Sequence, residues 1–173
     1  MSASLRSAVR DVIDFPKPGI IFKDITPILS NGDLFRESIS LLCDTTGGVK
    51  IDKVVGIDAR GFIFAAAVAD RLGAGFVPVR KKGKLPWETL EASYSLEYGK
   101  NVVQLHKDAV QPGESILLVD DLLATGGTAA AAVKLLDELG ANLIGISVLI
   151  ELAFLNGREK LLPHAVNSIL TYD

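Results

Sequence analysis

Cysteine is almost missing from this chain: Cys43 is the single one, so no disulfide framework can form within it. That cysteine follows the apolar run 39–42 and has no histidine near it in sequence, so it reads as a small helix-buried hydrophobe and not a catalytic thiol. A block of basic residues is also missing, and the net charge is −3. That balance speaks against a nucleic-acid backbone as the main partner. It leaves room for a small polyphosphate, which needs only a few local donors. No apolar run approaches the ~20 residues that span a bilayer. Residues 1–14 scatter Arg6, Arg10, Asp11 and Asp14 among apolar positions and lack the continuous core of a secretory signal. No membrane partner is expected, and a cytoplasmic location is the default reading. Neither G-x-G-x-x-G nor G-x-x-x-x-G-K-[ST] occurs, so a dinucleotide fingerprint and a Walker loop are both excluded.

What is present is an ordinary folding composition. The 173 residues are 49% hydrophobic, enough to build one sizeable core without metals or disulfides, and no repeat or linker divides them. One domain over 1–173 is expected. Short apolar, β-branched runs alternate with helical patterns. Strands are predicted at 53–58, 75–80, 115–119 and 143–150, with a last one at 166–171. Helices are predicted at 61–72, ended by Gly73, and at 128–139, ended by Gly140. Asp33 can cap a further helix over 34–43. Near-continuous apolar strands separated by helices indicate an α/β fold whose central, mostly parallel sheet is covered on both faces. The rhythm breaks over about 81–104, where parts alternate like a hairpin. Connections this long in a compact domain are usually binding loops or lids.

The strongest chemical signal is the string Ile116-Leu117-Leu118-Val119-Asp120-Asp121-Leu122-Leu123-Ala124-Thr125-Gly126-Gly127-Thr128. A buried strand runs into two acids, then a small glycine- and hydroxyl-rich turn, then a helix. Ligands of open α/β sheets bind at the carboxyl ends of strands. The glycines let backbone N–H groups close on an anion, Thr125 and Thr128 add donors, and the helix start adds its own free N–H groups. The turn therefore suits a phosphate monoester. Asp120 and Asp121 would repel that phosphate, so they should face adjacent ribose hydroxyls.

This string resembles the signature of the type I phosphoribosyltransferases, and the variant Leu122-Leu123-Ala124 resembles their adenine-specific branch. The resemblance implies that Asp120 and Asp121 hold the ribose of phosphoribosyl pyrophosphate, and that Leu122 and Ala124 to Thr128 form the site of its 5-phosphate. Three other segments are similar to the same branch. Phe15-Pro16-Lys17-Pro18-Gly19-Ile20-Ile21-Phe22-Lys23-Asp24-Ile25-Thr26-Pro27 is rigid and poorly helical. It resembles the hood that binds adenine, about 1–30, with a base lying against Ile21 and main-chain groups reading its edge. The family usually has Arg where this chain has Lys23, which matters little if contacts there run through the backbone. Val55-Gly56-Ile57-Asp58-Ala59-Arg60-Gly61-Phe62 resembles the pyrophosphate loop, with a non-proline cis peptide expected between Asp58 and Ala59. Arg60 at a helix start opposes the helix dipole unless it serves an anion, and its planar fork suits pyrophosphate. The last segment is the long loop with Lys81, Lys82, Lys84 and Ser93-Tyr94-Ser95-Leu96-Glu97-Tyr98-Gly99. Its lysines, Lys81 and Lys84 among them, can neutralise pyrophosphate, and Glu97 and Tyr98 resemble the tip of the flexible catalytic loop. Trp87 receives no role.

The implied reaction is displacement of pyrophosphate from the ribose by a purine nitrogen, converting adenine to AMP. Arg60 and Lys81 would stabilise the leaving group. Mg²⁺, held mainly by substrate oxygens and not by a protein cage, would bridge pyrophosphate and ribose. Glu97 would manage a purine proton as the loop closes. A homodimer is implied, and an apolar first helix would be consistent with one. The phosphate turn alone leaves a 6-oxopurine or orotate enzyme open, as well as a non-catalytic sensor of phosphoribosyl pyrophosphate. The hood segment argues against the first pair, and the absence of a basic face or a spare module argues against the sensor.

Overall fold

The computed structural model describes residues 2–96 and 99–173. The chain starts with a short helix, α1 (Ala3–Ala8), capped by the Ser2 hydroxyl, which accepts from the Leu5 N–H. A two-stranded antiparallel ribbon follows, β1 (Arg10–Ile13) and β2 (Ile21–Asp24), with Val12 opposite Phe22. Helix α2 (Thr26–Ser30) carries Pro27 in its first turn, where its missing N–H would have no partner within the helix. Helix α3 (Gly32–Asp44) starts two residues earlier than expected and is capped by Asn31, not Asp33. The Asn31 side chain accepts from the N–H groups of Asp33 and Leu34. Asp33 instead lies in the first turn, where its charge suits the dipole.

The central sheet then forms by strand–helix alternation. Its elements are β3 (Lys53–Ile57), α4 (Gly61–Leu72), β4 (Gly75–Lys81), β5 (Thr89–Leu96), β6 (Gly99–His106), β7 (Ser115–Leu123), α5 (Gly127–Glu138), β8 (Asn142–Leu152) and β9 (Val166–Tyr172). Gly73 closes α4 in the left-handed conformation, φ 64°, as its position after the periodic run predicts. The seven strands lie in the order β5-β6-β4-β3-β7-β8-β9. The five from β4 to β9 are parallel, and the β5–β6 hairpin joins antiparallel at the β4 edge. The sheet is thus mostly parallel and flanked by helices, as the alternation implies.

Both faces are buried, and adjacent strand residues divide between them. Val55, Ile116 and Leu118 pack with Ala132, Leu135 and Leu136 of α5. Val54, Leu117 and Val119 pack with Leu42 of α3 and with Phe64 and Val68 of α4, and Leu5 of α1 joins that second core. Alternate side chains of a strand point to opposite faces, so a strand covered twice must be apolar throughout.

One boundary correction matters for function. The strand expected to end at Val119 runs on to Leu123, with Asp120, Leu122 and Leu123 paired to Val148, Ile150 and Glu151 of β8. On its other side β3 pairs only as far as Gly56 opposite Val119. The two acids therefore sit in extended backbone just past the end of a neighbouring strand, and that step in the sheet opens the cleft described next.

Candidate active site

A cleft of about 400 Å³ lies over the carboxyl ends of β3 and β7. Its walls are the turn Asp58-Ala59-Arg60 after β3, the run from Asp120 to Ala129 that ends β7 and starts α5, and Tyr94 from the hairpin. The Asp58–Ala59 peptide is cis, as the resemblance to a pyrophosphate loop implies. Gly126, with φ 76°, precedes the first turn of α5, whose early N–H groups have no partner within the helix.

The acids and the arginine form the charged centre. Arg60 Nε lies 2.8 Å from Asp121 Oδ2. The approach is off-axis, so Oδ2 is buried and charge-compensated without an aligned hydrogen bond. Asp120 Oδ1 accepts from the Asp121 N–H at 2.9 Å. It also packs against Gly61, where a Cβ would come within 2.4 Å of it. Asp120 keeps some solvent contact as a residue, yet protein atoms enclose its carboxyl. That enclosure, with the neighbouring Asp121 charge, pushes its pKa well above the carboxylate range. Burial also raises Asp121, and the Arg60 guanidinium opposes that rise. The cleft therefore concentrates negative charge that one cation only partly offsets.

Of the residues named from the sequence, Asp58, Ala59, Arg60, Asp120, Asp121, Leu122, Ala124, Thr125, Gly126, Gly127 and Thr128 share this cleft. Lys81 ends β4, and Lys84 lies in the connection that follows it. Ile21 and Lys23 stand on alternate positions of β2. Ile21 is 53% exposed. Lys23 turns back to place Nζ 2.7 Å from Asp11 and 4.2 Å from the centre of the Tyr172 ring. Its cation anchors the ribbon to β9, so any contact of this residue with a base has to run through its backbone. Glu97 and Tyr98 lie outside the described residues.

Three participants escape a reading of the sequence. The ring of Phe22 lies 5.1 Å from the guanidinium carbon of Arg60, bringing the hood against the pyrophosphate turn. Arg80 Nε donates to Asp58 Oδ2 at 3.0 Å and so holds the cis turn from β4. Tyr94 lines the cleft and covers Gly127, where a Cβ would lie 3.2 Å from its ring. Neither ring stands out in the sequence, because both lie in segments that read there as connections and not as strands facing a site.

A strand-end cleft with an acid pair, a glycine–threonine anion turn and an arginine turn defines a nucleotide-forming transferase, and comparison gives the class. The model of the phosphoribosyl transferase domain matches residues 26–168, and the chain belongs to that family. It is 55% identical over 172 residues to an adenine phosphoribosyltransferase of Anaeromyxobacter dehalogenans (strain 2CP-C), covering 99% of this chain and 100% of that one. It is 56% identical to the adenine phosphoribosyltransferase of Thermobifida fusca (strain YX), over 94% of this chain and 93% of that one. The crystal structure of adenine phosphoribosyltransferase from Thermoanaerobacter pseudethanolicus superposes with a TM-score of 0.95 at 48% identity, covering 98% of each chain. The enzyme from Saccharomyces cerevisiae, complexed with an imino-altritol bisphosphate and adenine, superposes with a TM-score of 0.91 at 43% identity, over 96% of this chain and 97% of that one. Within its family the chain stands among the adenine phosphoribosyltransferases.

Proposed function

We infer that this chain transfers the 5-phosphoribosyl group of phosphoribosyl pyrophosphate to adenine, giving AMP and pyrophosphate, the chemistry of purine salvage. The observation that carries the reading is the single cleft in which the 58–60 turn faces the 120–128 string. A 6-oxopurine preference is not favoured, since the relatives matched over the full chain are adenine enzymes.

The roles follow from charge. In the displacement, positive charge grows on the ribose and negative charge on the leaving pyrophosphate, so the useful groups are those aimed at both. Thr125 to Thr128 and the start of α5 would hold the 5-phosphate. Asp120 and Asp121 would accept from the ribose hydroxyls and favour a cationic sugar. Arg60 would leave Asp121 to meet the pyrophosphate, with Lys81 and Lys84 supplying further positive charge. The edge of β2 that does not pair with β1 would read the base through main-chain groups of Ile21 and Lys23. A site built this way leaves polar atoms unpaired with the wrong base, which can discriminate by ~10⁴-fold. Glu97 and Tyr98, which connect β5 to β6, are assigned to closing the site against water and to the purine proton.

Mg²⁺ fits this site as a substrate-borne ion. Asp120 and Asp121 form an acid pair that Arg60 only partly offsets. These two carboxylates would help hold the ion through ribose oxygens or water, and the ion would supply charge neutralisation for the pyrophosphate. A homodimer remains part of the proposal. Helix α1 buries Leu5 in its own core, so better support comes from Ile63 and Phe76, apolar and 42% and 38% exposed beside the pyrophosphate turn. No helix is long and apolar enough to cross a membrane among the described residues, and a cytoplasmic enzyme acting as one domain over 1–173 completes the reading.

The test is nucleotide formation from phosphoribosyl pyrophosphate and Mg²⁺ with adenine, hypoxanthine, guanine or orotate. AMP formation with adenine alone is expected. Turnover of another base would keep the phosphate site and overturn the role given to the hood. Binding of phosphoribosyl pyrophosphate without any turnover would point to the sensor.

A further inference from the structure

We propose that Gly157 and Arg158 are positioning residues of the phosphate loop, forming a rigid wall behind Ala124–Gly126 that sets where the loop's N–H groups point. The inference rests on the reading of residues 124–128 as the 5-phosphate site.

Gly157 opens a short 3-10 turn, Gly157–Leu161, after β8, and it is buried. Its backbone touches the loop with nothing between them. A Cβ at Gly157 would lie 2.1 Å from the Ala124 carbonyl oxygen and 2.9 Å from the Gly126 nitrogen. Conversely, a Cβ at Gly126 would lie 2.3 Å from the Gly157 carbonyl oxygen. These neighbours are main-chain atoms and cannot swing aside like the end of a side chain. The loop is therefore backed by glycine against glycine, the closest approach two chains can make.

The next residue fixes that wall in place. Arg158 Nε donates to Glu151 Oε1 at 2.9 Å, Nη2 reaches Oε2, and Nη1 donates to the Val166 carbonyl at 2.6 Å. The Ser168 hydroxyl donates to Glu151 Oε2 at 2.6 Å. Glu151 is 5% exposed, and the Arg158 guanidinium keeps its carboxyl below the usual range. A two-pronged arginine–carboxylate pair holds direction as well as distance. Glu151 is also paired in the sheet with Leu123, the residue immediately before Ala124. One ion pair thus ties together the strand that delivers the loop and the turn that backs it. None of Glu151, Gly157 or Arg158 lines the cleft, so they act only through the loop.

Adding a methyl at Gly157 must push the loop forward or tilt the turn away. A displacement near 1 Å at a binding element costs about 10²-fold. The experiment compares Gly157→Ala, Arg158→Ala and Arg158→Lys with the doubly substituted loop Thr125→Val/Thr128→Val. For each, the Kd of phosphoribosyl pyrophosphate with Mg²⁺ is measured by calorimetry, and the KM of both substrates and the Tm are recorded. Gly157→Ala is expected to raise the Kd of phosphoribosyl pyrophosphate about tenfold or more, with adenine KM moving less than about twofold. Arg158→Lys is expected to recover only part of what Arg158→Ala loses, because a point charge cannot replace the fork. If Gly157→Ala does not fold, the two Arg158 variants decide by the same criterion. A normal Kd in folded Gly157→Ala and Arg158→Ala, beside lost binding in the threonine variant, would overturn the proposal and leave the loop reading standing. A normal Kd in the threonine variant as well would overturn the loop reading, and the proposal with it.

Discussion

The cleft and the ribbon that meets it at Arg60 are built from different material. The proposed phosphate end is main chain and short side chains at the mouth of the most buried part of the sheet, where Val119 and Leu118 are fully buried just before the acids. The proposed base end is a two-stranded ribbon outside that sheet, with Ile13, Phe15, Ile20 and Ile21 all more than two-fifths exposed. An anion is recognised by geometry that must not move, and the proposed anion turn lies where strands and a helix start already fix the backbone. A planar base is recognised by an edge and a face, which a lighter element can bring to it. The Phe22–Arg60 contact is where the two ends meet.

This contrast predicts larger losses at the phosphate end. Arg60→Ala removes the cation opposite Asp121, and kcat is expected to fall about 10²–10³-fold in a forward assay. A fall under about threefold there would place the leaving-group cation elsewhere. Gly126→Ala combines a φ of 76° with a clash against Gly157, and kcat/KM for phosphoribosyl pyrophosphate is expected to drop about 10²-fold while the fold persists by circular dichroism. Phe22→Ala removes a cation–π contact of about 1 kcal/mol, so a three- to tenfold effect is expected, visible in adenine KM and kcat. Equal losses for Phe22→Ala and Arg60→Ala would erase the distinction between the two ends.

A fourth prediction concerns stability. The folded-state pKa of Asp120 is raised, so the folded chain holds that proton more tightly than the unfolded one. The stability this contributes is complete below the unfolded carboxylate pKa, near ~4, and is lost as pH rises toward the folded value. Asp120→Asn keeps the shape and the acceptor for the Asp121 N–H and removes the loss. It should melt higher than the parent at pH 8, with the gap closing toward pH 4, while activity falls. A gap that stays constant with pH would mean that the Asp120 carboxyl is not the source. The smallest effect is expected for Lys23→Arg, which keeps a cation over Tyr172 and beside Asp11. Adenine KM should stay within about twofold, because the proposed base contact there is main-chain.

Much of the fold was legible because its signals are local. Apolar runs and a glycine after a helix each act within a few residues, and β3, β4, β7, β8 and β9 follow them, whereas the segment of β5 and β6 reads only as a long connection with hairpin-like alternation. The misread boundaries have the same origin. Asn31 and Asp33 are both good caps, and only the direction of the turn decided between them. The extension of β7 to Leu123 depends on β8 lying alongside, which polar residues at 120 and 121 conceal.

The phosphate string belonged to the sequence alone. Its acids, hydroxyls, glycines and helix start are contiguous, so the chemistry of an anion site is written within thirteen residues. The contacts that hold the two turns of the cleft were decided only in three dimensions. Arg80 meets Asp58 because β3 and β4 are parallel neighbours, Phe22 meets Arg60 because the ribbon folds over α4's start, and Gly157 meets Gly126 because β8 returns beside β7. No periodicity or spacing encodes such pairs, since each is set by strand order and register across dozens of residues.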